Sequence, residues 1–256
     1  MSPAIWTLCE GKSKLFSLSV SATRIVEDQS KNSTRKLVDS DQEQERLERL
    51  IEGIKPSLPS DPAFSNLHYL LSTPFRYPPL RWGSRFRKRT ENGVWYGAES
   101  IATALAEKAY YRIRFLQDTT ADLSSEIILT AFHVRIKSAK AIDLTESPFA
   151  AYEDRISSPT TYASSQPLGT DMRNDHVVFS LYRSARDPLR GKNVAIFSPL
   201  AFMDKQVTDA SRESWYCFAT REIAEFRSLS FTQTQRARFR RQDFEIDGRF
   251  PIPDLQ

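Results

Sequence analysis

The apolar segments of this chain are short and mostly follow one another without long helices between them, and this narrows its fold more than any single motif. Ile127–Ile136, Ala141–Leu144, His176–Tyr182, Asn193–Ser198 and Trp215–Phe226 read as strands, with earlier ones expected at Lys14–Val20 and Val94–Tyr96. A doubly wound parallel sheet needs a crossover helix between successive strands, and most of these junctions lack one. The expected class is therefore α+β, with a mixed or antiparallel sheet core and flanking helices. At 256 residues, 40% apolar and 11% aromatic, the chain can bury such a core.

Two segments carry a helical period. Leu47, Leu50, Ile51 and Ile54 fall at i, i+3, i+4 and i+7 within Asp41–Ile54. Ser100 is placed to cap a second helix whose apolar stripe is Ile101, Leu105, Ala109, Ile113 and Leu116. Between them, Lys55–Pro62 holds three prolines and reads as a linker. Residues 1–62 are thus expected to form an N-terminal extension whose helix 41–54 packs on a main domain of residues 63–256.

Several function classes lose support at once. Cys9 and Cys217 are too few and too far apart for a disulfide framework or zinc site, and His68, His133 and His176 show no ligand spacing, so no metal is expected. Neither a GxGxxG nor a P-loop is present. No apolar run reaches the length of a secretory signal or a membrane span, and a soluble cytoplasmic protein without membrane contact is the expectation. A net charge of +4 favours anionic ligands only weakly.

Candidate chemistry concentrates in Thr73–Arg89, read as a loop. Prolines in Pro74-Phe75-Arg76-Tyr77-Pro78-Pro79 stiffen it, and Arg76 with Arg85 suits a pyrophosphate, because guanidinium groups grip phosphate through paired hydrogen bonds. Solvated surface arginines are the bland reading. Strand alternation turns Trp95 toward a core and Tyr96 to the opposite face, where a flat heterocycle can stack. Glu107 lies opposite the apolar stripe of its helix, so it is either solvated or faces a cleft. Ser184 follows a strand as a turn residue would, and no histidine is placed to make it a nucleophile.

Taken in order, these segments resemble a known family. Pro74-Phe75-Arg76-Tyr77-Pro78-Pro79, Gly83-Ser84-Arg85-Phe86, Gly93-Val94-Trp95-Tyr96-Gly97 and Thr103-Ala104-Leu105-Ala106-Glu107 are similar to the RES domain, named for its arginine, glutamate and serine. Tyr182-Arg183-Ser184-Ala185-Arg186-Asp187 and Gly191-Lys192-Asn193-Val194-Ala195-Ile196-Phe197 resemble its serine region and the strand after it. Arg24-Ile25-Val26-Glu27 and Thr34-Arg35-Lys36-Leu37-Val38-Asp39 resemble the longer members.

The resemblance implies an ADP-ribosyltransferase-like fold and a toxin of a toxin–antitoxin pair. Such toxins cleave the nicotinamide–ribose bond of NAD⁺, which is substrate rather than cofactor, by hydrolysis, phosphorolysis or ADP-ribosyl transfer. It implies Arg76, Glu107 and Ser184 as catalytic and Arg76, Tyr77, Arg85, Tyr96, Ser184 and Asn193 as NAD⁺-binding. The loop from Arg76 to Arg85 is short for the family, and Arg81 is an alternative phosphate ligand. The implied partner is an Xre-type antitoxin, through which alone nucleic acid would be met. Water, phosphate or a protein side chain remains open as acceptor.

Two rival readings stand beside this one. Arg236, Arg238, Arg240 and Arg241, interleaved with Phe239 and Phe244, fit an RNA-binding or RNA-cleaving toxin, or else a solvated end paired with Asp243, Glu245 and Asp247. An inactive fold relative serving as an interaction module is the other.

Overall fold

A sheet with few crossovers has to be stitched largely by hairpins and long antiparallel pairings, and this one closes partly on itself. The computed structural model describes residues 4–28, 37–77, 83–120, 124–230 and 233–254. Its eight strands are β1 (Phe16–Glu27), β2 (Trp95–Ala98), β3 (Ser125–Asp143), β4 (Phe179–Arg183), β5 (Lys192–Ile196), β6 (Arg212–Ala219), β7 (Ile223–Ser228) and β8 (Arg236–Arg240). They lie in the order β1-β2-β5-β4-β3-β6-β7-β8, and β1 also pairs with β3, so the first five form a ring from which β6, β7 and β8 extend. Only β3 and β4 run parallel, giving the mixed α+β architecture.

Among the described residues six α-helices accompany the sheet: α1 (Ile5–Leu8), α2 (Asp41–Ile54), α3 (Tyr69–Arg76), α4 (Ile101–Gln117), α5 (Glu153–Ile156) and α6 (Ser165–Asn174). Ser100 caps α4, its Oγ accepting the Thr103 N–H at 3.1 Å. The inner face of α4 buries Leu105, Ala109, Ile113 and Leu116 against Trp215, Cys217 and Phe226. In another core cluster Trp95 packs edge to face on Phe132 and Phe202, at 6.3 and 5.6 Å.

The sheet crosses the boundary drawn at residue 62. β1 pairs with β3 from Phe16↔Ala141 to Glu27↔Leu129, so residues 16–27 share the core of the rest. Helix α2 is tied by Arg76, which bonds the Pro56 carbonyl and sits 2.9 Å from Glu52, while Leu50 and Ile54 on its apolar face stay exposed.

Three other elements differ from the sequence reading. The segments 127–136 and 141–144, read as two strands, fall almost wholly in the single strand β3, which ends at Asp143, because Ser19 and Leu18 of β1 pair with Lys137 and Ser138 and carry the ladder through the polar stretch. Trp215–Phe226, read as one strand, is the β6–β7 hairpin; its turn has no glycine or proline and is closed by Thr220 Oγ1, which accepts the N–H of Glu222 and Ile223 at 3.1 and 3.2 Å. The expected loop from Thr73 begins instead as the last turn of α3, with Pro74 inside it. A proline has no N–H to give the carbonyl four residues back. That carbonyl, Leu70 O, takes the Trp95 indole N–H at 3.4 Å.

The Arg-rich end is a strand and not an aromatic platform. Phe239 and Phe244 pack inward with Phe226, and Arg238 and Arg241 pair with Glu225 and Glu245 at 3.2 and 2.8 Å. The rings an RNA strand would stack upon are therefore occupied by the core. Among the described residues no helix is long and apolar enough to cross a membrane.

One ion pair at the rim of the ring carries a pH signature. Lys192 Nζ lies 2.7 Å from Asp143 Oδ2. Burial alone would raise the Asp143 carboxyl, and hydrogen bonds from Lys192 and Thr145 outweigh it, holding the group below its usual range. A lowered folded pKa contributes stability above the unfolded value, about 3.9, that is lost as pH falls through the folded one. Asp143→Asn is expected to lower the unfolding midpoint at pH 7, and in thermal melts the gap from the parent should begin to narrow near the unfolded value, about pH 4, and close as pH falls through the lowered folded one. A gap that persists at pH 2 would show that the charge is not its source.

Candidate functional site

A cavity of about 360 Å³ is lined by residues of α4 and of β1, β2, β5 and β4, a size usual for small-molecule sites. Its wall draws Arg24 from β1, Tyr96 from β2, Glu107 and Lys108 from α4, Tyr182 from β4 and Asn193 from β5. Arg85, Tyr162 and Arg186 come from the connecting segments.

Glu107 is the centre of this arrangement. The face of α4 opposite its apolar stripe lines the cavity, so the glutamate is half-buried there rather than solvated. Its Oε1 accepts Ser184 Oγ–H and Asn193 Nδ2–H, both at 2.6 Å. Oε2 has no partner among the described residues. Two short bonds to a single oxygen fix the carboxylate's direction and leave the other oxygen for a ligand.

Ser184 is 0% exposed and does not line the cavity. Its Oγ also accepts the N–H of Arg186 and Asp187 at 3.1 and 2.9 Å. Asp187 in turn accepts Thr103 Oγ1–H at 2.8 Å, tying the 184–187 turn to the first turn of α4. Gly191 makes the approach possible, because a Cβ there would collide with Thr103 Oγ1. Ser184 thus stands behind Glu107, outside the cavity lining.

The basic groups of the cavity are not the pair expected. Arg85 is there, 8% exposed, bonded to the Ile156 carbonyl at 3.1 Å and stacked 5.1 Å above Tyr162. Arg76 is not: it ends α3 on the side facing α2, and its guanidinium is taken by Glu52 and Pro56 O. Tyr77 beside it is exposed and outside the cavity lining. Arg81 falls in 78–82, outside the described residues. In place of Arg76 stands Arg186, 3% exposed, its guanidinium 3.7 Å from the centre of the Tyr110 ring. Arg186 Nη1 and Asn193 Oδ1 are buried without a hydrogen-bond partner among the described residues. A buried donor and a buried acceptor left open in a cavity wall point to a polar ligand.

Burial acts on two tyrosines of the cavity, Tyr96 and Tyr182. Burial pushes the Tyr96 hydroxyl up, and that hydroxyl bonds Ser84 Oγ at 2.9 Å and accepts the Phe86 N–H at 3.1 Å. Tyr96 therefore fixes the 84–86 turn that carries Arg85, besides lining the cavity. Burial, reinforced by the negative charge of Glu107, holds the Tyr182 hydroxyl well above its usual range.

Sequence reasoning placed Arg85, Tyr96, Glu107 and Asn193 together here, and the fold adds Arg24, Lys108, Tyr162, Tyr182 and Arg186. Arg186 lay inside the serine motif and was legible there; Tyr162 sat in a Ser/Pro/Thr-rich stretch with nothing to distinguish it. Among the described residues no group of three or more His, Cys, Asp or Glu side chains could hold a metal ion.

One carboxylate set among four cations at the rim of a partly closed mixed sheet defines an α+β protein with an anion-receptive cleft. The chain belongs to the RES family: the RES domain model matches residues 63–217, more than half its length. No curated protein matches it. Among solved structures it is similar to a chain in the crystal structure of the M. tuberculosis MbcT–MbcA toxin–antitoxin complex, at 10% identity and a TM-score of 0.42, covering 80% of this chain and 87% of that one.

Proposed function

We propose that this protein is a toxin of a toxin–antitoxin pair that breaks the nicotinamide–ribose bond of NAD⁺. The observation that carries the reading is Glu107, its Oε1 pinned by Ser184 and Asn193 inside a cavity whose other charged and aromatic lining is four cations and four tyrosines. NAD⁺ offers what such a wall would meet: a pyrophosphate, ribose hydroxyls and a flat cationic ring.

Cleavage proceeds through a sugar carrying positive charge at C1 and its ring oxygen, as in glycoside hydrolysis generally. The C1–N bond breaks and its electron pair moves to the nicotinamide ring nitrogen, cancelling the ring's positive charge. Nicotinamide leaves neutral, so no acid is needed at the base. An oxygen nucleophile then forms the new C1 bond; if it is water, its proton passes to solvent. Glu107 faces the developing charge with Oε2, and Asn193 Oδ1 is free to accept a ribose hydroxyl. Arg85 and Arg186 grip the pyrophosphate, the role expected of Arg76 and Arg85. Tyr162 and Tyr182 bound the space for flat rings.

The first test is nicotinamide release from NAD⁺ by the purified protein. Release identifies the activity; its absence with NAD⁺ and cell extract together would overturn the reading. Ser184→Ala refines it. A hydrogen bond to a charged group contributes about 1.5–3 kcal/mol, so kcat should fall about 10- to 100-fold with KM nearly constant. A rise in KM with kcat intact would place Ser184 on the ligand instead.

An antitoxin of Xre type is the proposed partner, as the family implies. Growth arrest on expression, relieved by a neighbouring gene's product, tests that part.

A further inference from the structure

The strands beyond the ring have two unlike faces. Alternation turns Trp215, Cys217, Ala224 and Phe226 inward, where they are buried with the apolar stripe of α4. On the opposite face Tyr216 pairs with Arg227 and Arg227 with Arg236. In the next row Phe218 pairs with Glu225 and Glu225 with Arg238, and Arg240 ends β8 on the same side. Both rings stay half-buried, and the four arginines are exposed. β8 is the last strand of the sheet, so its arginines stand along an open edge. Phe239 and Phe244, the rings that the sequence sets among these arginines, face the core, and the aromatic part of this surface comes from β6 instead.

The charge here is only partly answered. Arg238 Nε lies 3.2 Å from Glu225. A second carboxylate, Glu126, stands opposite Phe218 on β3 and is hydrogen-bonded to the Tyr216 hydroxyl. Arg227, Arg236 and Arg240 have no carboxylate at ion-pair distance among the described residues. Arg227 sits 5.9 Å from the centre of the Tyr216 ring. None of these residues lines the cavity around Glu107.

We infer that this face binds single-stranded nucleic acid, Tyr216 and Phe218 stacking bases while Arg227, Arg236 and Arg240 hold backbone phosphates. A basic track beside accessible rings grips single strands without reading their sequence. Residues two apart on a strand are separated by about 6.8 Å, which gives each ring room for its own base. In a duplex the bases already stack on one another, so the rings select the unpaired strand. An acidic protein surface would answer the arginines and give the ring faces no planar partner. The contact is the chain's own rather than one made through a partner, and it stands or falls independently of NAD⁺ cleavage.

Fluorescence anisotropy of a short labelled oligouridylate, titrated at low salt and then at rising salt, tests the assignment. Tyr216→Ala and Phe218→Ala should each weaken binding at least about fivefold, the lower end for losing one stacked base. Tyr216→Phe keeps the ring and should recover most of the loss, which separates stacking from misfolding. Arg227→Gln and Arg236→Gln should each weaken binding and lower the salt slope by about 0.7, the single-strand value for one phosphate contact. Arg46→Gln, an exposed charge-loss control on α2, and Lys108→Gln in the cavity should change neither quantity. Oligothymidylate run in parallel tells DNA from RNA. Absence of binding at low salt overturns the proposal, as does binding indifferent to both ring substitutions. Equal affinity for a duplex would assign the face to charge alone, and equal affinity for polyglutamate would assign it to an acidic protein. A loss in Lys108→Gln matching that in Arg236→Gln would move the strand to the cavity. Each of these three results makes the inference wrong.

Discussion

Glu107→Gln is expected to lower nicotinamide release about 100- to 1,000-fold while NAD⁺ affinity changes far less, the range seen when one preorganised electrostatic group is removed. The substitution suits the question because it keeps the shape. The amide oxygen can still accept from Ser184 Oγ and Asn193 Nδ2, which now bond Oε1 at 2.6 Å, so what disappears is the charge facing the cavity. A carboxylate that served only to bind substrate would lose affinity and turnover together. Measuring the dissociation constant beside single-turnover rates separates the cases, and an equal loss in both would remove Glu107 from the chemistry.

Trp95→Ala is expected to cost about 3–5 kcal/mol of stability, as large-to-small changes at buried aromatic positions do. Trp95 is fully buried, packs edge to face on Phe132 and Phe202, and gives its indole N–H to the carbonyl that Pro74 leaves open. Its ring also supports the Arg24 guanidinium. Chemical denaturation should show the loss, and Trp95→Phe should retain more than half of the stability difference. A cost below about 1 kcal/mol would mean that the surrounding strands collapse into the space.

How much of the fold is legible in the sequence depends on whether the signal is local. The α4 cap at Ser100 and its buried stripe are legible because both are properties of neighbouring residues. So is the opposite orientation of Trp95 and Tyr96, which strand alternation enforces. Helix α3 is not, since Pro74 argues for a loop until Trp95 is seen satisfying the freed carbonyl. The continuity of β3 through Lys137 and Ser138 depends on β1, far away in sequence.

The site divides in the same way. Glu107, Ser184 and Asn193 came from motif order, and their hydrogen bonds now give that order a physical reason. Arg76 matched the motif, yet Glu52 and Pro56 O hold it on the α2 side. Arg24 offered no signal of its own as a cavity residue, because its place at the wall exists only once β1 has closed the ring.

That closure sets a timetable for synthesis. β1 pairs with residues 129–141, more than 100 positions further along the chain, so it leaves the ribosome long before its partner exists. Contacts this distant form slowly, and an unpaired strand edge invites association with other chains in the meantime. Arg24 enters the cavity wall only when that pairing is made. A nascent chain would therefore carry α4 and Glu107 for some time without a finished pocket.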